Sequence, residues 1–466
     1  MGCLSPLPEL LGISHDMSQN RFTHRAGRAL AATAILLAGC AHYAPLPLAT
    51  QPHLASSVAE LQGTPGAAPL TIDQVVALAL ANNPDLQALR LKVSIAREQL
   101  GQARILPNPT LTGAFLPLIS GAGSVPAWNI GLSQNIRALV TYRSRQRAAG
   151  EAVKQVGADT VWQEWQVAGQ ARQLAANLIH GARSRPTYVA IYQLLADRNS
   201  KLDAALAAGN ITLATAAPDR VALQAARIAL NALDQRQLSL THQLDALLGL
   251  SPDVAPQLAA TIDLPPFDPA AIRADLKSLP DRRPDLLALR MGYTQADEQV
   301  RAAILSQFPD LVLGASSSSD NMSVINGGPN IGVGLPVFDR NQGAIAVAKA
   351  TRAQLHADYA ARLASATGQV EATLAEMEQL SAQLATARRD LPAARLAADN
   401  AVEAFGAANL DERGYVDLVV NRFTREQDIM MLELALLDRQ IALQTLIGAG
   451  LPTVDTLSDA VARVQP

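Results

Sequence analysis

The sequence predicts a mainly α-helical protein with a small membrane β-part. It reads as two tandem repeats, each made of long antiparallel helices plus one β-hairpin. Three observations carry this. Ala, Leu, Gln, Arg and Glu dominate the stretches after Thr71, the bias of long helices. Blocks of residues recur about 200 positions apart. Between the helical stretches, the apolar period changes from about 3.6 to about 2.

Composition narrows the class. Of 466 residues only 4% are aromatic, too few to pack a large globular core but enough for helices that touch along Ala-rich seams. A net charge of −3 leaves no basic footprint for nucleic acid. The short cluster Arg143, Arg145, Arg147 reads as a solvated helix start. No run in the chain approaches the roughly 20 apolar residues of a membrane-spanning helix, so a spanning part must be a closed barrel.

The first 39 residues read as a secretory signal. Arg21, His24, Arg25 and Arg28 form a basic stretch, Ala29 to Gly39 a short apolar run, and Leu37-Ala38-Gly39-Cys40 a small-residue cleavage site. The LAGC ending resembles the bacterial lipobox, which makes Cys40 the acylated first residue of the mature chain; Ala41 after it implies outer-membrane sorting. Met17 gives the more usual signal length, so residues 1–16 read as a start-site artefact. Cys3 and Cys40 have no partners at metal-ligand spacing, which argues against a disulfide framework or a zinc site. Residues 40–69, rich in Pro, Ser, Gly and Ala, read as a lipidated tether.

Beyond the tether the chain repeats. Asn83-Pro-Asp-Leu-Gln-Ala-Leu-Arg90 recurs as Arg283-Pro-Asp-Leu-Leu-Ala-Leu-Arg290. Pro109 and Leu111 are answered by Pro309 and Leu311, Asn129-Ile130-Gly131 by Asn330-Ile331-Gly332, Asn210 by Asn409, and Leu248-Gly249 by Ile447-Gly448. The offset stays between 199 and 201, so the repeats occupy 70–250 and 281–451, with a linker at 251–280 and a C-terminal tail at 452–466.

Each repeat has one internal plan. Thr71 with Gln74 fits a capping box, and Pro84-Asp85 fits a first helical turn. Helices are expected to about Arg104 and from Pro284 to Ser306, then over 139–208 with 216–249 and over 341–405 with 411–449. Pro186 and Pro392 should kink or interrupt them. Gly209-Asn210 and Gly406 to Asn409 read as hairpin tips.

Strands are expected between the helices. Trp128, Ile130, Leu132 and Ile136 alternate with Asn129, Gly131, Ser133 and Asn135; Ile331, Val333, Leu335 and Val337 alternate with Gly332, Gly334 and Pro336. Their mates are Pro109 to Leu118 and Asp310 to Ser318, joined by loops at Ile119 to Ser124 and Ser319 to Gly328. One apolar and one small or polar face suits a membrane barrel, and also two amphipathic hairpins lying on a soluble core. Four strands cannot close a barrel, so in the first case an oligomer completes it.

TIDQVVALALANNPDLQALR (71–90), the Pro before each first strand, GVGLPVFDRNQGAIAVAKA (332–350) and the AGN/AAN turns resemble the TolC-like outer-membrane factors over Leu70 to Leu451. Leu335 to Ala350 is most similar to the lipid-anchored CzcC/CusC-type heavy-metal efflux branch. The resemblance implies a homotrimer with a 12-stranded β-barrel and an α-helical periplasmic tunnel. It also implies a periplasmic adaptor (membrane fusion protein), an inner-membrane RND transporter and contact with outer-membrane lipid. The implied role is a passive efflux conduit, for divalent metal cations or for drugs and other organic solutes. A helical-hairpin adaptor lipoprotein is the alternative outside the channel class.

Several residues are candidates within that frame. Asp411 or Asp417 could form a carboxylate ring at the tunnel aperture, with Arg413 or Arg422 as tethers; an ordinary solvated tip accounts for the same charges. Adaptor contact is expected at Gly209, Asn210 and Leu213 and at Gly406, Asn409 and Leu410. No enzyme, cofactor or metal site is expected. His42, His53, His180, His242 and His356 have no second ligand at helical spacing, Ser316 to Ser319 lacks a nucleophile-elbow context, and there is no Gly-rich phosphate loop.

Overall fold

The computed structural model describes residues 43–64, 69–264 and 268–454. Residues 43–53 contain no helix or strand and belong to an N-terminal unit ending at His53; the second unit starts at Leu54. Cys40, the signal and most of the tail lie outside the described residues.

The first repeat opens with α1 (Ile72–Asn82), whose start carries the full capping box: Thr71 Oγ1 accepts from Gln74 N, and Gln74 Oε1 accepts from Thr71 N. Such a cap contributes about 1 kcal/mol. Asn83 then caps α2 (Pro84–Ala103) by accepting from Leu86 N, with Pro84 at the first helical position. Strands β1 (Thr110–Leu116) and β2 (Ala127–Asn135) follow, then α3 (Arg137–Ala207) and α4 (Leu213–Leu248). The linker holds the short helix α5 (Pro269–Asp275), and α6 (Leu279–Arg282) straddles its boundary with the second repeat. The second repeat gives α7 (Pro284–Leu305), β3 (Leu311–Ser319), β4 (Ile325–Val333), α8 (Gln342–Gly406) and α9 (Glu412–Ile447).

Helix α3 has 71 residues and α8 has 65, so they span roughly 105 and 95 Å at about 1.5 Å per residue. Of the kink or interruption expected at Pro186 and Pro392, the interruption does not occur: both helices run on through the proline. Both prolines, and the residues four earlier (Ala182 and Arg388) whose carbonyls lose a partner, are exposed. Water can satisfy those carbonyls, while packing on the other face holds the helix together.

The hairpin turns of the two repeats are copies. In the first, Gly209 is left-handed (φ 74°) and Asn210 N donates to Ala205 O; in the second, Ala408 is left-handed (φ 58°) and Asn409 N donates to Ala404 O. Each is a six-to-one helix terminator. The turn residue of the second hairpin is therefore Ala408, and Gly406 is the last helical residue. Thr212 and Asp411, again 199 apart, cap α4 and α9 through Thr215 N and Gly414 N.

The strands form one antiparallel sheet in the order β1-β2-β3-β4. The helices run in the same order: α3 packs on α2 and α4 to one side and on α7 and α9 to the other, and α8 packs on α7 and α9. The helices α4 and α2 meet end to end, where Asn83 Nδ2 donates to Leu247 O. The wall is thus four elements wide throughout. Its principal core joins α1, α3 and α4 through Val75, Ala79, Ala171, Ala175 and Leu248, all within 0% of exposure. Alanine at these seams brings the backbones close. A second core places Leu279 of α6 on Val370, Leu374 and Met377 of α8 and on Leu443 of α9.

Candidate functional site

The functional candidate is the wall itself. In register, Leu111, Gly113 and Phe115 of β1 face Leu132, Ile130 and Trp128 of β2. These continue into Ala315, Ser317 and Ser319 of β3, and Leu311 and Leu313 there pair with Val333 and Ile331 of β4. One face of the sheet is therefore mostly apolar, because side chains alternate along each strand. The other face carries Thr110, Thr112, Asn129, Ser133, Asn135, Ser316, Ser318, Asn326 and Asn330, with glycines and the apolar Ala114, Leu116, Ala127 and Val312 among them. None of the four strands contains a charged residue.

The apolar face is bare: Leu111 is 70% exposed, Phe115 69% and Ile331 69%. A contiguous apolar patch of this kind marks a surface that meets lipid or protein. Every residue of β1 and β4 is exposed, since each has a partner on one side only. Strand β4 starts at Ile325 and ends at Val333, so Leu335 and Val337 lie beyond it and the connecting loop shrinks to 320–324. Asp320 tightens that loop by accepting from Met322 N and Val324 N, which frees Ile325 to Gly328 for the ladder. Asn321 ties the two hairpin loops: its carbonyl accepts from Ser124 N, and its Nδ2 donates to Val125 O.

The helical part is open at the same two edges. Along α2 and α4, Leu91, Ile95, Val221, Ile228 and Leu238 are exposed; along α8, Val347, Leu396 and Val402 are. No helix among the described residues is long and apolar enough to cross a membrane.

At the far end, the tip candidates Gly209, Asn210, Leu213, Gly406 and Asn409 are exposed and Leu410 is half-buried. Asp411 is engaged as the cap of α9 at 2.9 Å from Gly414 N. Asp417 and Arg413 pair along the same helix at 3.8 Å, both largely exposed. Arg422 lies 3.9 Å from Asp399 and 3.8 Å from Glu426, with its guanidinium over the Phe423 ring.

Three contacts near the tips escaped the sequence. Arg198 Nε donates to Asp219 Oδ1 at 2.6 Å, with side chains 5% and 13% exposed, and locks α3 to α4. The two residues stand almost equally far from the turn at Gly209, so hairpin arithmetic could have paired them. Lys201 donates to Glu412 at 2.8 Å and joins the two repeats; that bond, and then the Glu412 charge, hold the lysine above its ordinary pKa. Ile191 and Leu195 of α3 pack with Val416 of α9 in a small core beneath them.

Residues 276–449 match the family model described as outer membrane efflux protein. The match covers the second repeat and its approach, and the internal duplication carries the same plan into the first. No curated protein matches the chain. Several solved structures share its fold. CusC is 18% identical, covering 86% of this chain and 98% of its own, with a TM-score of 0.64. The Campylobacter jejuni CmeC outer membrane channel is 16% identical, covering 91% and 97%, with a TM-score of 0.68. The open state of the Neisseria gonorrhoeae MtrE outer membrane channel is 18% identical, covering 88% and 98%, with a TM-score of 0.63. The fold is that of outer-membrane channels.

Proposed function

We infer that the chain is the outer-membrane channel subunit of a tripartite efflux system. The observation that carries this reading is the sheet: its bare apolar face, its uncharged polar face and its two unpaired edges. An exposed edge strand presents unsatisfied N–H and C=O groups, which lipid cannot satisfy. Edge β4 of one copy meeting edge β1 of the next satisfies both and repeats head to tail. Such a contact closes into a ring when its rotation divides a full turn, and the twist of a four-stranded unit suits a third of a turn. Three copies place twelve strands in one barrel, apolar face to lipid and polar face to water, and the same rotation seals the apolar edges of α2 and α4 against α8.

The duct does no chemistry and works with a periplasmic adaptor and an inner-membrane RND-type transporter. Acylation at Cys40 anchors it to the outer membrane. The exposed tips around Gly209 and Asn409 are the part that reaches towards the adaptor. The likeness of Leu335 to Ala350 to the CzcC/CusC-type branch supports divalent metal cations as cargo; organic solutes fit the same duct. A deletion strain challenged with metals and with drugs separates these.

Cysteines at Thr112 of β1 and Asn330 of β4 test the closure, since both lie on the polar face near mid-strand. The expected outcome is a cross-linked ladder in outer-membrane fractions that ends at three chains. A ladder that continues past three, or a protein that stays monomeric, overturns the reading.

A further inference from the structure

A cavity of about 670 Å³ lies in the helical wall between α3, α8 and α9, beside the start of α7. Its lining includes Trp162, Gln166 and Gln170 of α3, together with Arg283, Arg362 and Arg439. On α3 these residues sit about half a helical turn from Ala168, Ala171 and Ala175, which share the core with α1. The cavity therefore lies on the side of α3 away from α1.

Its charge is unbalanced. Three guanidinium groups stand in the wall against one carboxylate, Glu376, which accepts from Arg439 Nε at 2.9 Å. Asp285, behind the wall, pairs with Arg283 at 2.7 Å and lies 3.5 Å from Arg362. Asp159 is close to Asp285 but outside the lining, and burial followed by the Asp285 charge pushes its carboxyl up.

Arg283 is the unusual member. It is 2% exposed, its Nη1 has no hydrogen-bond partner, and its Cζ sits 4.8 Å from the Trp162 ring centre. Its counterpart in the first repeat, Asn83, is a neutral helix cap. In the second repeat Asp285 takes over that backbone contact by accepting from Leu286 N. A buried guanidinium with an unmade bond destabilises the fold unless an acceptor completes it. Arg362 and Arg439 are about half exposed and can supply further donors to the same acceptor.

We propose that this cavity binds the carboxylate of an organic anion, held by Arg362 and Arg439 over the field of Arg283, with the apolar body against Trp162 and Leu446. The site's service to cargo rests on the duct reading; the binding itself does not. Trp162 of the first repeat and the three arginines of the second build the site together, so each chain holds one and a trimer three.

Calorimetric titration of the full-length detergent-purified protein with 2-naphthoate, against the neutral 2-naphthamide, tests this. Expected is saturable binding of one naphthoate per chain, weakened at least tenfold for the amide and at least tenfold in Arg362→Gln/Arg439→Gln. Those two side chains are exposed enough for the variant to fold, which its thermal unfolding verifies. Naphthoate that fails to saturate, an amide that binds equally, or an unaffected double variant overturns the proposal. Bilayer conductance of the same preparation keeps the two ideas apart. A conducting protein that does not bind loses the site and keeps the duct; a binding protein that does not conduct loses the duct and keeps the site.

Discussion

Gly209 and Ala408 occupy the same position in the two helix-reversing turns, 199 residues apart, at φ 74° and 58°. The glycine adopts this left-handed backbone without strain, whereas the alanine pays for its Cβ. Ala408→Gly is expected to stabilise the second hairpin by about 1 kcal/mol, and Gly209→Ala to destabilise the first by a similar amount. Thermal unfolding of both variants measures the pair.

Gly448 (φ 73°) lies so close to the Trp165 ring that an added Cβ would overlap Cη2. Trp165 cannot retreat, because its Nε1 donates to Pro452 O at 2.6 Å. Gly448→Ala should cost about 3 kcal/mol or more. Gly450 (φ 64°) is the control: its Cβ would meet only Arg172 Nη2 at 3.4 Å, so Gly450→Ala should cost about 1 kcal/mol.

Asp245 and Gln444 are repeat counterparts, 1% and 3% exposed. Burial pushes the Asp245 carboxyl up, against the opposing influence of His242 and of the Ala255 backbone. A raised folded pKa means that the folded state keeps a proton the unfolded chain loses near pH 4, so stability falls as pH rises from there. Asp245→Asn should therefore stabilise the protein at pH 7 by about 1 kcal/mol, and less at pH 4, in parallel melts.

His180 behaves in the opposite sense. Burial holds its ring below the ordinary imidazole value; Arg183 and Arg236 add to this, and Glu433 and Asp438 oppose it. The unfolded chain takes up a proton below about pH 6.5 while the folded ring stays neutral, so stability drops on acidification through that point. Unfolding midpoints at pH 7.5 and 5.5 should differ less in His180→Gln than in the parent.

Much of the fold was legible because its signals are local and doubled. The capping box at Thr71, Pro84 and Pro284 at first helical turns, and the alternation around Ile130 lie within a few residues of the elements they start or shape. The features that the sequence hides have non-local causes. Pro186 and Pro392 read as sites of a kink or break, because the exposed setting that lets the helices continue is a tertiary property. Strand β4 starts earlier than its sequence suggests, because Asn326-Gly-Gly-Pro329 has loop chemistry and only pairing with Ser316 to Ser318 makes it a strand. The cavity at Arg283 was hidden for the same reason: Trp162, Arg362 and Arg439 come from three different helices.

The central claim is that copies of this chain close into a water-filled pore. Planar-bilayer recording of the purified oligomer tests it most directly. Discrete conductance steps of one recurrent size are the expected result, lost when Ile130→Asp and Leu132→Asp are combined on the apolar face of the sheet. A folded oligomer that inserts into the bilayer and gives no steps would contradict the claim.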